Sequence, residues 1–176
     1  MILDGKLLAK KIKEDLKNKI EASGKKVSLA VILVGEDPAS KVYVRNKAKA
    51  CEEVGVASEV VTLAADITQE MLEYIINSYA ARVDIDGILV QMPLPKGLDG
   101  EKALACKKKK KDVDAFHPVN CGKVMTGDYK FAPCTPAGMV EMLKYYNIPV
   151  AGKHCVIIGR SNIVGKPMAM LMLKEN

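Results

Sequence analysis

Apolar residues recur along the chain with helical spacing in some stretches and in unbroken runs in others. An apolar residue stands at every fourth position from Leu8 to Ile20, and Gly24 follows, which predicts an amphipathic helix ended by a glycine. Residues 27–35 then form a continuous apolar run rich in branched side chains, which is typical of a strand buried on both faces. A helix followed by a buried strand favours an α/β fold.

The same alternation continues through the first half of the chain. Residues 39–54 predict a helix that ends at Gly55, and residues 56–63 predict a second strand. Thr68 is placed to cap a further helix, and residues 85–91 predict a third strand. Successive strand–helix–strand units require right-handed crossovers, so we expect a mostly parallel sheet.

The pattern changes after the third predicted strand. Residues 92–100 contain prolines and glycines that indicate a loop, and residues 100–106 predict a short helix. A helix is predicted over 136–146, then a strand over 153–159, a glycine turn, and a helix from Gly165. This is the opening of a second α/β unit, and we expect either that another chain completes it or that the sequence is a fragment.

Composition narrows the classes of protein. With 176 residues, of which 49% are hydrophobic and 27% charged, the chain suits one packed domain and the beginning of a second. No apolar run approaches the roughly 20 residues that span a bilayer, and the amino terminus lacks the features of a secretory signal. We therefore expect a cytoplasmic protein with no membrane partner.

Cysteine and histidine usage gives no metal or disulfide pattern. The five cysteines contain no C-x-x-C pair, so reduced thiols are expected. The two histidines, His117 and His154, lie far apart without the spacing of ligands, so no metal site is expected.

The net charge of +6 favours acidic partners, which include nucleic acid, phosphorylated cofactors and polycarboxylate substrates. The densest basic run, Lys107–Lys111, has no interleaved aromatic residues that could stack on bases, so we expect a solvated loop. A noncatalytic module that binds folate or nucleic acid through this run remains the alternative to an enzyme.

Candidate chemistry lies where the predicted strands end, because open α/β sheets bind ligands beyond the carboxyl ends of their strands. Tyr43 and Lys47 share one helical face after the "GEDPAS" loop, and Gln91 ends an apolar strand. An ordinary helix surface and a structural amide are the alternatives. Asp112 and Asp114 alternate on an extended segment, so that one could hold a donor-rich heterocycle while the other meets solvent.

The segment "VIIGRSNIVGKP" predicts a turn that could hold a phosphate. Gly159 follows a predicted strand and Gly165 begins a helix, which suits binding of phosphate by backbone amides, and Arg160 adds a forked cation. Ser161 replaces the second glycine of G-x-G-x-x-G, and Pro167 excludes a Walker A loop. Dinucleotide binding and a plain strand-to-helix turn both remain open.

Taken together, these segments resemble the bifunctional methylenetetrahydrofolate dehydrogenase/cyclohydrolase family. The resemblance rests on "DPAS", "YVRNKAKACEEVG", "DGILVQMPLP", "KDVDAFHPVNCGK", "PCTPAG" and "GRSNIVGKPMAMLML", which occur in the family's order. It covers nearly the whole chain. A short-chain dehydrogenase, the other enzyme class with a Tyr-x-x-x-Lys pair, places its glycine turn before the tyrosine, whereas here the turn follows.

The resemblance implies the reaction and the catalytic residues. Members oxidise 5,10-methylenetetrahydrofolate to the 5,10-methenyl cation with a nicotinamide cofactor, and hydrolyse that cation to 10-formyltetrahydrofolate. It implies Lys47 as the principal group of the hydrolytic step, Tyr43 as orienting the substrate, Gln91 as tuning the lysine, and Asp114 as holding the pterin ring.

The resemblance also implies the cofactor and its site. Gly159, Arg160, Ser161 and Gly165 match cofactor positions, and Thr135 would lie near the nicotinamide. Arg160 favours NADP over NAD because it can pair with the extra phosphate.

The implied fold is a three-layer parallel-sheet folate-binding catalytic domain over residues 1–134, followed over 135–176 by the incomplete start of a Rossmann-like NAD(P)-binding domain. Ala115 stands where the family usually has glycine. A "GGVGPMT"-like segment and the rest of the cofactor domain do not occur in this sequence, so we expect an impaired dehydrogenase step. The family's homodimer and its role in purine biosynthesis are further implications, with self-association left open.

Overall fold

The computed structural model describes residues 2–175, which form ten helices and strands in an order typical of α/β proteins. In chain order these elements are α1 Gly5–Ser23, β1 Val27–Val34, α2 Pro38–Val54, β2 Val56–Leu63, α3 Gln69–Ala81, β3 Gly87–Val90, α4 Gly100–Ala105, α5 Pro118–Thr126, α6 Cys134–Tyr145 and α7 Gly165–Lys174. The described chain divides into two compact units. One consists of residues 11–113, and the other of residues up to 10 together with those from 114.

The sheet of the first unit confirms the predicted parallel topology. Its three strands lie in the order β2, β1, β3, with β1 parallel to both neighbours. The chain moves from β1 to β2 in one direction and from β2 back to β3 in the other. Right-handed crossovers in opposite directions place α2 and α3 on opposite faces of the sheet.

The strand β1 is buried on both faces, as its unbroken apolar run predicts. Val31 and Leu33 pack with Val44 of α2 and Leu89 of β3 in one buried cluster. The alternate residues, such as Ile32, are equally inaccessible to solvent. Burying each large aliphatic side chain contributes about 1.5–3 kcal/mol, so this strand anchors the sheet that positions the loops at its carboxyl end.

The sequence signals at helix ends match the observed boundaries. Asp37 caps α2 by accepting a hydrogen bond from the backbone N–H of Ser40 at 2.7 Å, and Pro38 occupies the first turn. Gly55 ends that helix in the left-handed conformation, with φ of 82°. Thr68 caps α3 through the N–H of Met71 at 3.2 Å.

The predicted strand over 153–159 is wrong. This segment forms no regular element, and two of its apolar side chains face solvent, with Val156 71% and Ile158 99% exposed. A strand needs a neighbour to satisfy its backbone N–H and C=O groups, and no strand of residues 2–175 lies beside this segment. The third strand is also shorter than the predicted 85–91.

Helix α5 was not predicted, although its ends carry recognisable signals. The ring nitrogen Nδ1 of His117 accepts a hydrogen bond from the N–H of Val119 at 3.1 Å, and Pro118 is the first helical residue. Gly127 ends the helix with φ of 79°. In the second unit α5, α6 and α7 each contribute one residue to a buried cluster with Ala115; these residues are Val124, Val140 and Leu171.

The lysine run is a solvated loop only in its middle: residues 108–110 are exposed as predicted, whereas Lys107 is not. Lys107 is fully buried, and its Nζ lies 2.6 Å from Oδ1 of the equally buried Asp112. The carbonyl oxygen of Lys111 accepts a hydrogen bond from the N–H of Ile88 at 2.7 Å, and Asp112 pairs with Ile88 as a parallel bridge. The end of the run therefore lies beside β3, where a polar backbone finds partners.

Candidate functional site

Tyr43 and Lys47 lie on α2, and the turn between β1 and α2 places this helix after the carboxyl end of β1. Gly35 leaves the strand with φ of 79°, and the Asp37 cap starts the helix. The N–H of Ser40 holds the pKa of the Asp37 carboxyl below its usual value, because the hydrogen bond favours the ionised form. Lys47 is half-buried, whereas Tyr43, one turn earlier on the same helix, is 62% exposed.

Gln91 meets Lys47 at the end of β3. The backbone N–H of Gln91 donates to the carbonyl oxygen of Ile32 at 2.9 Å, so the residue is still held by the neighbouring strand β1. Its buried side chain accepts a hydrogen bond from Lys47 Nζ at 2.8 Å through Oε1. The amide therefore fixes the position of the lysine amine without adding charge beside it.

The orientation of the Gln91 amide is set from its other end. Nε2 donates a hydrogen bond to the carbonyl oxygen of Met92 at 2.6 Å, which leaves Oε1 directed at Lys47. The peptide bond between Met92 and Pro93, where the loop begins, is cis. Of the candidate residues, the structure thus joins Lys47 and Gln91 directly and places Tyr43 on the same helix.

Asp114 belongs to the second unit. Its side chain is buried, and Asp112 is buried as well, so the expectation that one of the two aspartates meets solvent is wrong. The following residue, Ala115, has φ of 58°, in the left-handed region that glycine adopts more easily. The carbonyl oxygen of Ala115 accepts a hydrogen bond from Cys121 Sγ at 3.2 Å.

The turn before α7 brings two glycines into close contact. A Cβ added to Gly165 would lie 2.4 Å from the carbonyl carbon and oxygen of Gly159, so only glycine fits there. Ser161 Oγ accepts hydrogen bonds from the N–H of Val164 at 3.1 Å and from that of Gly165 at 3.3 Å. Ser161 therefore holds the backbone of the turn, where a second glycine would provide no side chain.

The residues of this turn and of α6 suit a phosphorylated cofactor in chemical type. Arg160 is exposed beside Gly159, and Thr135 is exposed in the first turn of α6. The close approach of the two glycines is the arrangement that lets a phosphate reach backbone N–H groups at a helix start.

The residues that the structure describes form neither a metal site nor a membrane span. Among residues 2–175, no group of three or more histidine, cysteine, aspartate or glutamate side chains is arranged to hold a metal ion. Within the same residues, every helix is too short or too polar to cross a membrane.

Comparison with protein families gives a match over most of the chain. Residues 3–114 match the family model described as tetrahydrofolate dehydrogenase/cyclohydrolase, catalytic domain. The chain belongs to this family. Residues 133–176 match the companion model, the NAD(P)-binding domain of the same family. The resemblance noted from the sequence motifs is thus confirmed, together with the α/β fold class.

Curated relatives agree along almost the whole chain. The bifunctional protein FolD of Nitratidesulfovibrio vulgaris strain Miyazaki F is 51% identical over an alignment of 176 positions that covers 98% of this chain and 61% of the relative. FolD of Acetivibrio thermocellus is 52% identical over an alignment of 178 positions that covers 99% of this chain and 62% of the relative. The chain therefore spans about three-fifths of the length of these relatives.

Solved structures show the same fold. The bifunctional FolD enzyme from Campylobacter jejuni has a TM-score of 0.95 and 48% identity, over 99% of this chain and 64% of that one. The methylenetetrahydrofolate dehydrogenase-cyclohydrolase of Trypanosoma brucei, solved with NADP and an inhibitor, has a TM-score of 0.95 and 32% identity, over 100% of this chain and 62% of its own.

Proposed function

We propose that this protein acts in one-carbon metabolism, oxidising 5,10-methylenetetrahydrofolate to 5,10-methenyltetrahydrofolate with NADP and hydrolysing the product to 10-formyltetrahydrofolate. The observation that carries the proposal is the Lys47–Gln91 hydrogen bond at the carboxyl end of the sheet of a chain that belongs to this family. The substrates are one-carbon derivatives of tetrahydrofolate. Cytoplasmic location, a homodimer and a contribution to purine biosynthesis belong to the same proposal.

The hydrolytic step requires a base, which we assign to Lys47. Water attacks the carbon that joins N5 and N10 of the methenyl cation, and one proton of the water passes to the amine of Lys47. The bond from this carbon to N5 then breaks as N5 takes that proton from the lysine, and the remaining hydroxyl proton leaves to solvent as the carbonyl of the formyl group on N10 forms. Gln91 supports this role because its carbonyl oxygen anchors the amine in position without adding charge beside it.

Two further residues, Tyr43 and Asp114, have proposed roles in binding folate. Tyr43 lies one turn before Lys47, and its largely exposed phenol is free to move toward a bound substrate and orient it. Asp114 would accept hydrogen bonds from the donor-rich pterin ring, for which a carboxylate is well suited.

We further propose that Gly159, Arg160, Ser161, Gly165 and Thr135 bind NADP, which when bound accepts the hydride of the oxidation step. Arg160 would pair with the 2′-phosphate, since a guanidinium offers a forked set of donors. Residues 1–134 would then form the folate-binding catalytic domain and residues 135–176 the start of the dinucleotide-binding domain. Nucleic acid is not a proposed partner, because Lys107 is buried and Lys111 Nζ donates to the carbonyl oxygen of Arg82.

The test is hydrolysis of 5,10-methenyltetrahydrofolate, measured as loss of its absorbance above the uncatalysed rate. Lys47→Met should lower kcat by about 100-fold or more, as expected for loss of a general base. Lys49→Met, which removes an exposed lysine two positions along the same helix, is the matched control and should match the wild type. Full activity of Lys47→Met would remove the lysine from the mechanism.

A further inference from the structure

The loop that follows β3 is held at its far end by one side chain of α3. Gln69, the first residue of α3, accepts a hydrogen bond from the backbone N–H of Asp99 at 2.8 Å through Oε1. Its Nε2 donates to the carbonyl oxygen of the same residue at 3.3 Å. One amide side chain thus pairs with both backbone groups of Asp99, much as a neighbouring strand would.

A third contact is consistent with the orientation that Asp99 gives the Gln69 amide. Nε2 also donates to Oε1 of Glu73 at 2.7 Å, one turn later on α3. All three contacts agree on which end of the amide carries the nitrogen. The side chain of Asp99 in turn caps α4, accepting from the N–H of Lys102 at 3.1 Å. Gln69 therefore holds the junction between the loop and α4.

A continuous path of contacts leads from this junction to Lys47. Met92 packs against Gly100, where an added Cβ would lie 2.7 Å from Met92 Cε, and Gly100 directly follows Asp99. The carbonyl oxygen of Met92 accepts the hydrogen bond from Gln91 Nε2 that directs Oε1 of this amide at Lys47. Movement of the far end of the loop would therefore reach the amide that holds the lysine.

Other contacts shape the interior of the loop. Pro95 lies against the end of β1, where a Cβ on Gly35 would be 3.2 Å from its Cγ. Its carbonyl oxygen accepts from the N–H of Leu98 at 3.3 Å, and Gly97 has φ of 98°. These contacts shape the turn, whereas Gln69 fixes where the loop ends.

We propose that Gln69 is a positioning residue for the Lys47–Gln91 pair, acting through Asp99, Gly100 and Met92. This inference rests on the proposed hydrolytic function. Gln69 lies on α3 and contacts the loop that follows β3, and it contacts none of the proposed substrate-binding residues. Its loss should therefore lower kcat and leave KM unchanged. Displacement of a catalytic group by about 1 Å can cost up to about 100-fold in rate, so we expect a 10- to 100-fold fall.

The kinetic experiment compares three variants for hydrolysis of 5,10-methenyltetrahydrofolate, with rates expressed per folded molecule. Gln69→Met keeps the side-chain length and removes both hydrogen bonds to Asp99, so it should show the full loss of kcat. Gln69→Glu keeps the acceptor for the N–H of Asp99 but sets a carboxylate oxygen against the carbonyl oxygen of Asp99 and against Glu73, so it should lose as much kcat as Gln69→Met. Glu73→Ala removes the third hydrogen-bond partner of Gln69 and keeps both hydrogen bonds between Gln69 and Asp99, so it should match the wild type.

A second readout does not depend on catalysis. The side-chain amide resonances of Gln91, observed by 15N NMR of the same chain, should shift in Gln69→Met and stay in place in Glu73→Ala. Unchanged Gln91 resonances, an unchanged kcat, or a raised KM at constant kcat would each overturn the positioning role. If the wild-type chain hydrolyses no substrate, the proposed function fails, and the Gln91 resonances alone decide whether Gln69 positions this pair.

Discussion

The ion pair between Lys107 and Asp112 provides a sharp test of how this fold treats charge. Both side chains are fully inaccessible to solvent, and Nζ lies 2.6 Å from Oδ1. Changing Lys107 to Met keeps most of the volume of the buried stem and leaves the carboxylate of Asp112 without its cation. We expect this single change to destabilise the protein strongly.

The size of the effect follows from the geometry. At 2.6 Å and an effective dielectric constant of about 20, the attraction is about 6 kcal/mol. Removing two charges from water costs several kcal/mol for each ion, so the net contribution of the intact pair is small. Removing only the lysine leaves the carboxylate buried without the attraction that offsets its loss of water, and the free energy of unfolding should fall by about 3–5 kcal/mol. The double change Lys107→Met with Asp112→Val should recover much of it.

Urea unfolding followed by circular dichroism measures these differences. With a slope of about 1–3 kcal/mol per molar urea, the Lys107→Met midpoint should fall by at least about 1 M. Lys108→Met, an exposed neighbour, is the control and should unfold with the wild-type midpoint. A Lys107→Met protein within about 1 kcal/mol of the wild type, or a double variant as unstable as the sum of the two single variants, would refute this reasoning.

Four further substitutions are tested by the same unfolding assay. Gly165→Ala should lower the free energy of unfolding by about 1–3 kcal/mol, because its Cβ would overlap the backbone of Gly159. Gly138→Ala in α6 is the control: a Cβ there meets nothing within 4 Å, so the change should stabilise the protein. Ala115→Gly should change stability by less than about 1 kcal/mol, since relief of the left-handed strain is offset by the lost buried methyl and the added chain entropy. The pKa of Asp37 is lower in the folded state than its ordinary value of 3.8, so the carboxylate stabilises the protein above pH 3.8. This stabilisation is lost as the pH falls through the pKa of the folded state. Asp37→Asn should therefore make the free energy of unfolding depend less on pH in acid.

Much of the first unit could be predicted because its local signals agree with its tertiary structure. The apolar run of β1 is buried on both faces, and the caps at Asp37 and Thr68 start the helices that the periodicity predicts. The pairing of Lys47 with Gln91 was only a hypothesis from the sequence. It depends on β3 lying next to β1, as the hydrogen bond from Gln91 N–H to the carbonyl oxygen of Ile32 shows.

Other features depend on contacts that composition does not reveal. A run of lysines predicts solvent exposure, yet Lys107 is buried because Asp112, five residues later, lies within reach of its amine. The predicted strand over 153–159 has the right residues and lacks a neighbouring strand. Helix α5 is short, and its signals at His117 and Gly127 come from capping, since its apolar pattern alone is too brief to indicate a helix.

The exposed segment 153–159 has a practical consequence for handling the protein. Val156 and Ile158 are branched, uncharged and open to solvent, and the backbone around them is available for intermolecular β-pairing. Lys153 and Arg160 flank this stretch, and repulsion between these positive charges opposes the stacking of identical chains. Light scattering should therefore show particle size rising with protein concentration, and more steeply at high salt, where the repulsion between these cations is screened.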